Sequence, residues 1–367
     1  MKIEKIEVYS PTIRRKEMDA VLTAMVEDRI GPGERTRVLI QTAKEQIHFD
    51  YAIALRSPAV ALHLALKALD VKRRDAVIIS ALSPRYYLQV LQDLDLVPLY
   101  CDVTYDFPCL NKDLIESVIA NKNEGLNVCA IVLHHSLGFA PDTTAISELG
   151  IPVIEDISQS YGSFLTKEIN EQKKNGNEGV SESQVSNESA VRFNSQFCIL
   201  GLEERDMLTA GGGALLFSMN RRDAAVLRNL EDLPAEYGLP DMNAAMAVVQ
   251  FRELSKNLVK RREIARLYTQ SALRTRHKMF ISPDGIEYNN YAFPLVLEKG
   301  MKDVKAYARK KDIAIESAFD NTLVGMVSQE QCPEACSLSL RTVLFPLYPR
   351  LGMTDAGKVA KLILTLP

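Results

Sequence analysis

Long apolar runs are missing from this chain: no stretch approaches the roughly 20 residues that a membrane-spanning helix needs. Cysteine is sparse, with six scattered through 367 residues. The one close pair, Cys332 and Cys336, has Cys-x3-Cys spacing, and no histidine or further cysteine lies nearby to complete a metal site. We therefore expect structural or incidental thiols, no metal, and a reducing cytoplasm. Neither sign of charge dominates, since the formal net charge is -3. Nothing in that balance draws the protein to nucleic acid or an anionic membrane. The opening Met1-Lys2-Ile3-Glu4-Lys5-Ile6-Glu7 alternates charged and apolar groups, so no signal peptide is expected. One further absence bears on chemistry. No lysine occurs between Lys174 and Lys256.

What is present is ordinary for a globular protein, with 47% hydrophobic and 25% charged residues. The length suits two domains, or one large domain with a smaller partner. The first part alternates short apolar runs with helical periods. A strand-like opening leads to a helix around Arg15 to Val26, and Gly31-Pro32-Gly33 then breaks the chain. Strands are expected at Tyr51–Arg56, Ala76–Ser80, Val97–Asp102 and Val128–Leu133, and helices at Ala59–Leu69 and Asn111–Asn121. Such alternation predicts an α/β fold with a mainly parallel sheet. Later come helices at Arg221–Glu231, Phe251–Leu273 and Met301–Lys311, with strands at Tyr291–Glu298 and Ile313–Glu316.

The stretch around which the rest is organised is Ile151-Pro152-Val153-Ile154-Glu155-Asp156-Ile157-Ser158-Gln159-Ser160-Tyr161-Gly162-Ser163. A short apolar run ending in two carboxylates reads as a buried strand that presents an acid at its C-terminal end. In open α/β sheets, ligands bind in the crevice at that end. An acidic pair closing a strand is also an ordinary structural arrangement, and spacing alone does not separate the two.

The stretch resembles the V-I-E-D-x-A-Q-A-x-G segment of the DegT/DnrJ/StrS family, which are pyridoxal-phosphate-dependent nucleotide-sugar aminotransferases of fold type I. Further segments resemble that family in the same order. They are Ser57-Pro58-Ala59-Val60-Ala61-Leu62 (family S-G-T-x-A-L), His135 within His134–Gly138 (V-H-x-Y-G), and Phe197–Ser218 (F-S-F-x-x-x-K-N-x-T-x-G-E-G-G-A). Ala235–Gln250 and Leu344–Thr354 follow. The resemblance implies a large domain over residues 1–235 and a smaller α+β domain over 236–367. It implies that Asp156 pairs with the cofactor's pyridinium nitrogen, that Gln159 lies beside the ring, and that Ser57, Ala59 and His135 belong to the cofactor site. It also implies a homodimer, a nucleotide-sugar ligand, and PLP or PMP (pyridoxal or pyridoxamine phosphate) as cofactor.

Several of the family's contacts are replaced. Pro58 has no N–H to give a phosphate, and Ala59 has no hydroxyl where the family has threonine. The stacking aromatic of the family's P-x-F-T-F falls on Pro84, with Tyr86 or Tyr87 as a substitute if the loop shifts, or else as part of a helix face packed on the sheet. The Schiff-base lysine falls on Arg205 when aligned from Ala214 and on Glu203 when aligned from Phe197. Neither forms an aldimine, because glutamate has no amine and a guanidinium stays protonated. Family sugar 3-dehydratases work without the lysine but carry histidine there, which this chain lacks.

Three functional readings follow. One is a family member beside nucleotide-sugar or surface-polysaccharide synthesis, without standard transaminase activity. The second is an active PLP- or PMP-dependent sugar-modifying enzyme without an internal aldimine. The third is a regulatory or assembly subunit that forms a heterodimer with an active homologue. The polar run 167–190 has the composition of a solvated insertion and would be the contact in that last case.

Overall fold

A computed structural model describes residues 5–165, 194–230, 233–283 and 285–367. The polar insertion expected at 167–190 lies outside them. Runs such as Ala76-Val77-Ile78-Ile79-Ser80 are buried along their whole length. β-branched residues favour the pleated conformation, and continuous burial is what a parallel strand covered on both faces requires.

The strands, in chain order, are β1 (Tyr51–Leu55), β2 (Ala76–Ser80), β3 (Val97–Cys101), β4 (Val128–His134), β5 (Val153–Asp156), β6 (Phe164–Leu165), β7 (Phe197–Gly201) and β8 (Ala214–Ser218), followed by β9 (Ile286–Glu287), β10 (Phe293–Val296), β11 (Glu316–Ser317) and β12 (Thr342–Phe345). Seven form one sheet in the order β1-β8-β7-β5-β4-β2-β3. The pairs β2–β3, β2–β4, β4–β5 and β5–β7 are parallel, whereas β8 runs antiparallel to both neighbours. The order reverses between β2 and β4, because the chain leaves β2 outward to β3 and then returns to β4 on the other side. A reversal of this kind opens a crevice at the carboxyl ends of the strands. The last residues of β4 and β5 are His134 and Asp156, which face each other in the register.

Apolar layers cover the two faces. Helix Pro58–Ala68 and helix Tyr86–Asp93 supply Leu62, Leu66, Tyr87 and Leu91 to one core. Helix Glu34–Ile47 and the first half of helix Asp241–Ala272 supply Leu39, Ala43, Val248 and Phe251 to another. Sequence periodicity places a helix only over Phe251–Leu273, but the structure continues it back to Asp241, for 32 residues in all. The reason is its partners. Ala244 and Ala247 are buried in the same core as Leu39 and Phe251, while Ile264, Tyr268 and Ala272 lie in a third core beneath the three-stranded sheet β10-β12-β11. At its start, Asp241 caps a different helix. Its carboxylate accepts from Arg35 N and Thr36 N, each at 3.0 Å, and so supplies the side chain that Gly33, the N-cap of Glu34–Ile47, lacks. The strand expected over Ile313–Glu316 shrinks to β11, because Ile313 instead bridges Ile6 in parallel.

All six cysteines are free thiols. Among the described residues no group of ligands could hold a metal, and no helix is long and apolar enough to cross a membrane.

Candidate functional site

Asp156 is almost completely buried, and each of its oxygens is engaged. Oδ1 accepts from the Ser158 backbone N–H at 3.1 Å and from the Ser158 hydroxyl. Oδ2 accepts from the Tyr87 hydroxyl at 2.7 Å and the Tyr86 hydroxyl at 3.0 Å, with His134 Nδ1 at 3.5 Å. Burial by itself would raise this carboxyl. The His134 imidazole and the donors Ser158 and Tyr87 outweigh it and hold the group well below the usual carboxylate range. The tyrosines move the other way, because burial and the neighbouring Asp156 charge push both phenols well above 10. They therefore stay protonated and keep donating.

Local structure explains how the two tyrosines reach the acid. The loop after β2 ends where helix Tyr86–Asp93 begins, which sets both residues at the reversal crevice. Their rings meet edge to face at 4.9 Å, and Tyr87 also stands edge-on to His134 at 6.1 Å. Their hydroxyls are thus spent on Asp156.

Gln159 turns away from the carboxylate. Its Oε1 accepts from Leu137 N at 2.7 Å, steadying a residue held at φ 55. Gly138 follows at φ 88, and a Cβ there would lie 2.6 Å from Asn289 Oδ1, so this turn requires glycine. His135 is fully buried, with Nδ1 at 2.7 Å from Ser160 Oγ and Nε2 at 3.3 Å from Glu155 Oε2. Thus His134, rather than His135, stands beside Asp156. Ser57 caps its own helix by accepting from Val60 N at 3.3 Å, and Ala59 is half-buried in the first turn.

The loop after β7 carries both candidates for the lysine position. Glu203 is exposed and accepts from Gly213 N at 3.5 Å. Arg205 is also exposed, and its guanidinium is bidentate to Glu316 of β11, at 2.6 and 3.2 Å. Neither side chain is among the partners of Asp156. The next residue comes closer. A Cβ on Gly201 would lie 2.7 Å from Ser158 Oγ and nearer still to Asp206 Oδ2, so Asp206 packs against the residue that binds Asp156. Burial, and then the Asp156 charge, raise the Asp206 carboxyl from 3.8 to about 7, although Glu203 N donates to it at 2.8 Å. A carboxyl poised near neutrality in a crevice is the kind of group active sites employ. Sequence reasoning missed it, because Glu203-Glu204-Arg205-Asp206 reads as one charged surface turn.

An open, mostly parallel α/β sheet with an acid at the carboxyl end of a central strand is the architecture of the fold type I pyridoxal-phosphate-dependent enzymes. The model of the DegT/DnrJ/EryC1/StrS aminotransferase family matches residues 11–183 and 216–364, and the chain belongs to that family. Solved structures agree on the fold. The aminotransferase TlmJ from Streptoalloteichus hindustanus is similar at 19% identity, covering 98% of this chain and 97% of its own, with a TM-score of 0.82. Spr1654 from Streptococcus pneumoniae, in its PMP form, is similar at 15% identity over 98% and 97%, with a TM-score of 0.83. The sugar aminotransferase CalS13 from Micromonospora echinospora is similar at 16% identity over 98% and 99%, with a TM-score of 0.78.

Proposed function

We propose that this chain is a sugar aminotransferase family member that does not transaminate through a lysine-bound cofactor and acts beside nucleotide-sugar or surface-polysaccharide synthesis. The observation that carries this reading is at the lysine position. No lysine occurs between Lys174 and Lys256, and the two aligned side chains, Glu203 and Arg205, are exposed, Arg205 being locked to Glu316. A guanidinium neither condenses with an aldehyde nor gives up its proton near neutrality. Asp206, raised to about 7, is an acid near Asp156 able to exchange a proton at physiological pH.

Pairing with a second subunit forms part of the proposal, either in a homodimer or with a lysine-bearing homologue. Helix Arg15–Val26 supports it: Met18, Leu22, Met25 and Val26 are exposed at positions i, i+4, i+7 and i+8, one apolar stripe opposite the buried Glu17 and Ala24.

The test is amino transfer by purified protein supplied with PLP, an amino donor and a nucleotide-linked keto sugar. Borohydride reduction and peptide mass mapping would be run alongside. The expected result is no keto-acid product and no phosphopyridoxyl group on residues 194–255. Turnover above a cofactor-only control would overturn the reading.

A further inference from the structure

PLP and PMP each bring a ring nitrogen that needs an acceptor in the crevice. Asp156 is the carboxylate the family fold offers for it. A carboxylate has about four lone-pair directions. At Asp156 the Ser158 N–H and hydroxyl take those of Oδ1, and the hydroxyls of Tyr86 and Tyr87 take those of Oδ2, with His134 Nδ1 a further 3.5 Å from that oxygen. Behind the hydroxyls stand two rings, and Tyr87 belongs to the apolar core with Leu62, Val90 and Leu91. The residues present therefore do not fit a pyridine ring at this carboxylate. To admit one, both hydroxyls would have to leave a buried anion, and Tyr87 would have to leave its core.

We propose that Tyr86 and Tyr87 are the permanent ligands of Asp156, a built-in plug that completes the crevice without PLP or PMP. The inference deepens the proposed function and rests on it, extending the loss of the covalent cofactor to the non-covalent one. Burial of the acid favours such an arrangement. A buried carboxylate is costly where its lone pairs lack donors, and the two hydroxyls give Oδ2 donors that the protein itself supplies. Two phenols whose ionisation is suppressed by burial meet that need over the whole physiological pH range.

The experiment has two arms. The first is calorimetric titration of the full-length protein with PMP, chosen because its amine cannot condense with surface lysines, together with thermal midpoints at 1 mM PMP. We expect no saturable heat and no rise in midpoint. Saturable binding that Asp156→Ala abolishes overturns the plug. If amino transfer and the phosphopyridoxyl adduct are nonetheless absent, the lysine-free reading survives it. The second arm measures Asp156→Asn in two backgrounds, wild type and Tyr86→Phe/Tyr87→Phe, which keeps the rings and removes only the hydroxyls. With the hydroxyls present, Asp156→Asn should lower the thermal midpoint by several degrees. Without them the charge is under-solvated, and the same substitution should be neutral or raise the midpoint. Equal losses in both backgrounds would overturn the proposal, since the tyrosines would then be packing groups and not the ligands of the acid.

Discussion

Asp206→Asn should make the protein more stable, and only where the pH is high enough to ionise the wild-type side chain. Asp206 packs beside Ser158, the residue that binds Asp156, and burial together with the Asp156 charge raises its carboxyl from 3.8 to about 7. The sign follows from proton counting. Between about pH 4 and 7 the native state holds a proton that the unfolded state has lost, so wild-type stability falls across that window and levels off above it. Each pH unit of displacement is worth about 1.36 kcal/mol, giving roughly 4 kcal/mol for a fully shielded group. Asp206 is only half-buried, and water access reduces this to about 2 kcal/mol. Asparagine keeps an oxygen for the Glu203 N–H and carries no charge. Urea unfolding of both proteins from pH 5 to pH 8 measures the effect. The variant should gain about 2 kcal/mol at pH 8 and under about 1 kcal/mol at pH 5. A difference that stays flat with pH, or a variant less stable at pH 8, would refute the placement of Asp206 against Asp156.

Other outcomes follow from named contacts. Arg205→Ala removes an exposed ion pair with Glu316 and should cost no more than about 1 kcal/mol in thermal or urea unfolding. Arg205→Lys should keep that pair and develop no aldimine absorbance with PLP. Gly138→Ala places a Cβ against Asn289 and Tyr291 at φ 88, and should destabilise by about 2 kcal/mol or more, read as a fall in urea midpoint. Asp241→Ala withdraws the acceptor of Arg35 N and Thr36 N. It should cost about 1–2 kcal/mol, seen as early hydrogen exchange at the start of helix Glu34–Ile47.

The sheet was legible in the sequence because its inner strands are buried on both faces. Ala76–Ile79 and Val128–Leu133 are apolar throughout and are separated by helical periods, and the structure finds β2 and β4 there. Helix Arg15–Val26 agrees with its apolar spacing. The first half of Asp241–Ala272 was harder to read, because Ala244, Ala245 and Ala247 leave little periodic contrast. Its helicity depends on packing under the Glu34–Ile47 helix. Within the site, Asp156 was visible as the acid that ends a strand. Tyr86 and Tyr87 were visible only as an alternative, because adjacent helical residues point in directions about 100° apart and nothing local says that both hydroxyls converge. Their convergence depends on where β2 and β5 lie in the sheet, at the crevice left by the reversal of strand order. Asp206 was not visible at all. Its raised carboxyl arises from burial and from an acid fifty residues away in sequence.

The most direct measurement is a crystal structure of the protein grown in the presence of millimolar PMP. Both tyrosine hydroxyls are expected on Asp156 Oδ2, with no pyridine ring at the carboxylate. A ring nitrogen within hydrogen-bond distance of Asp156, with Tyr86 and Tyr87 swung aside, would contradict it.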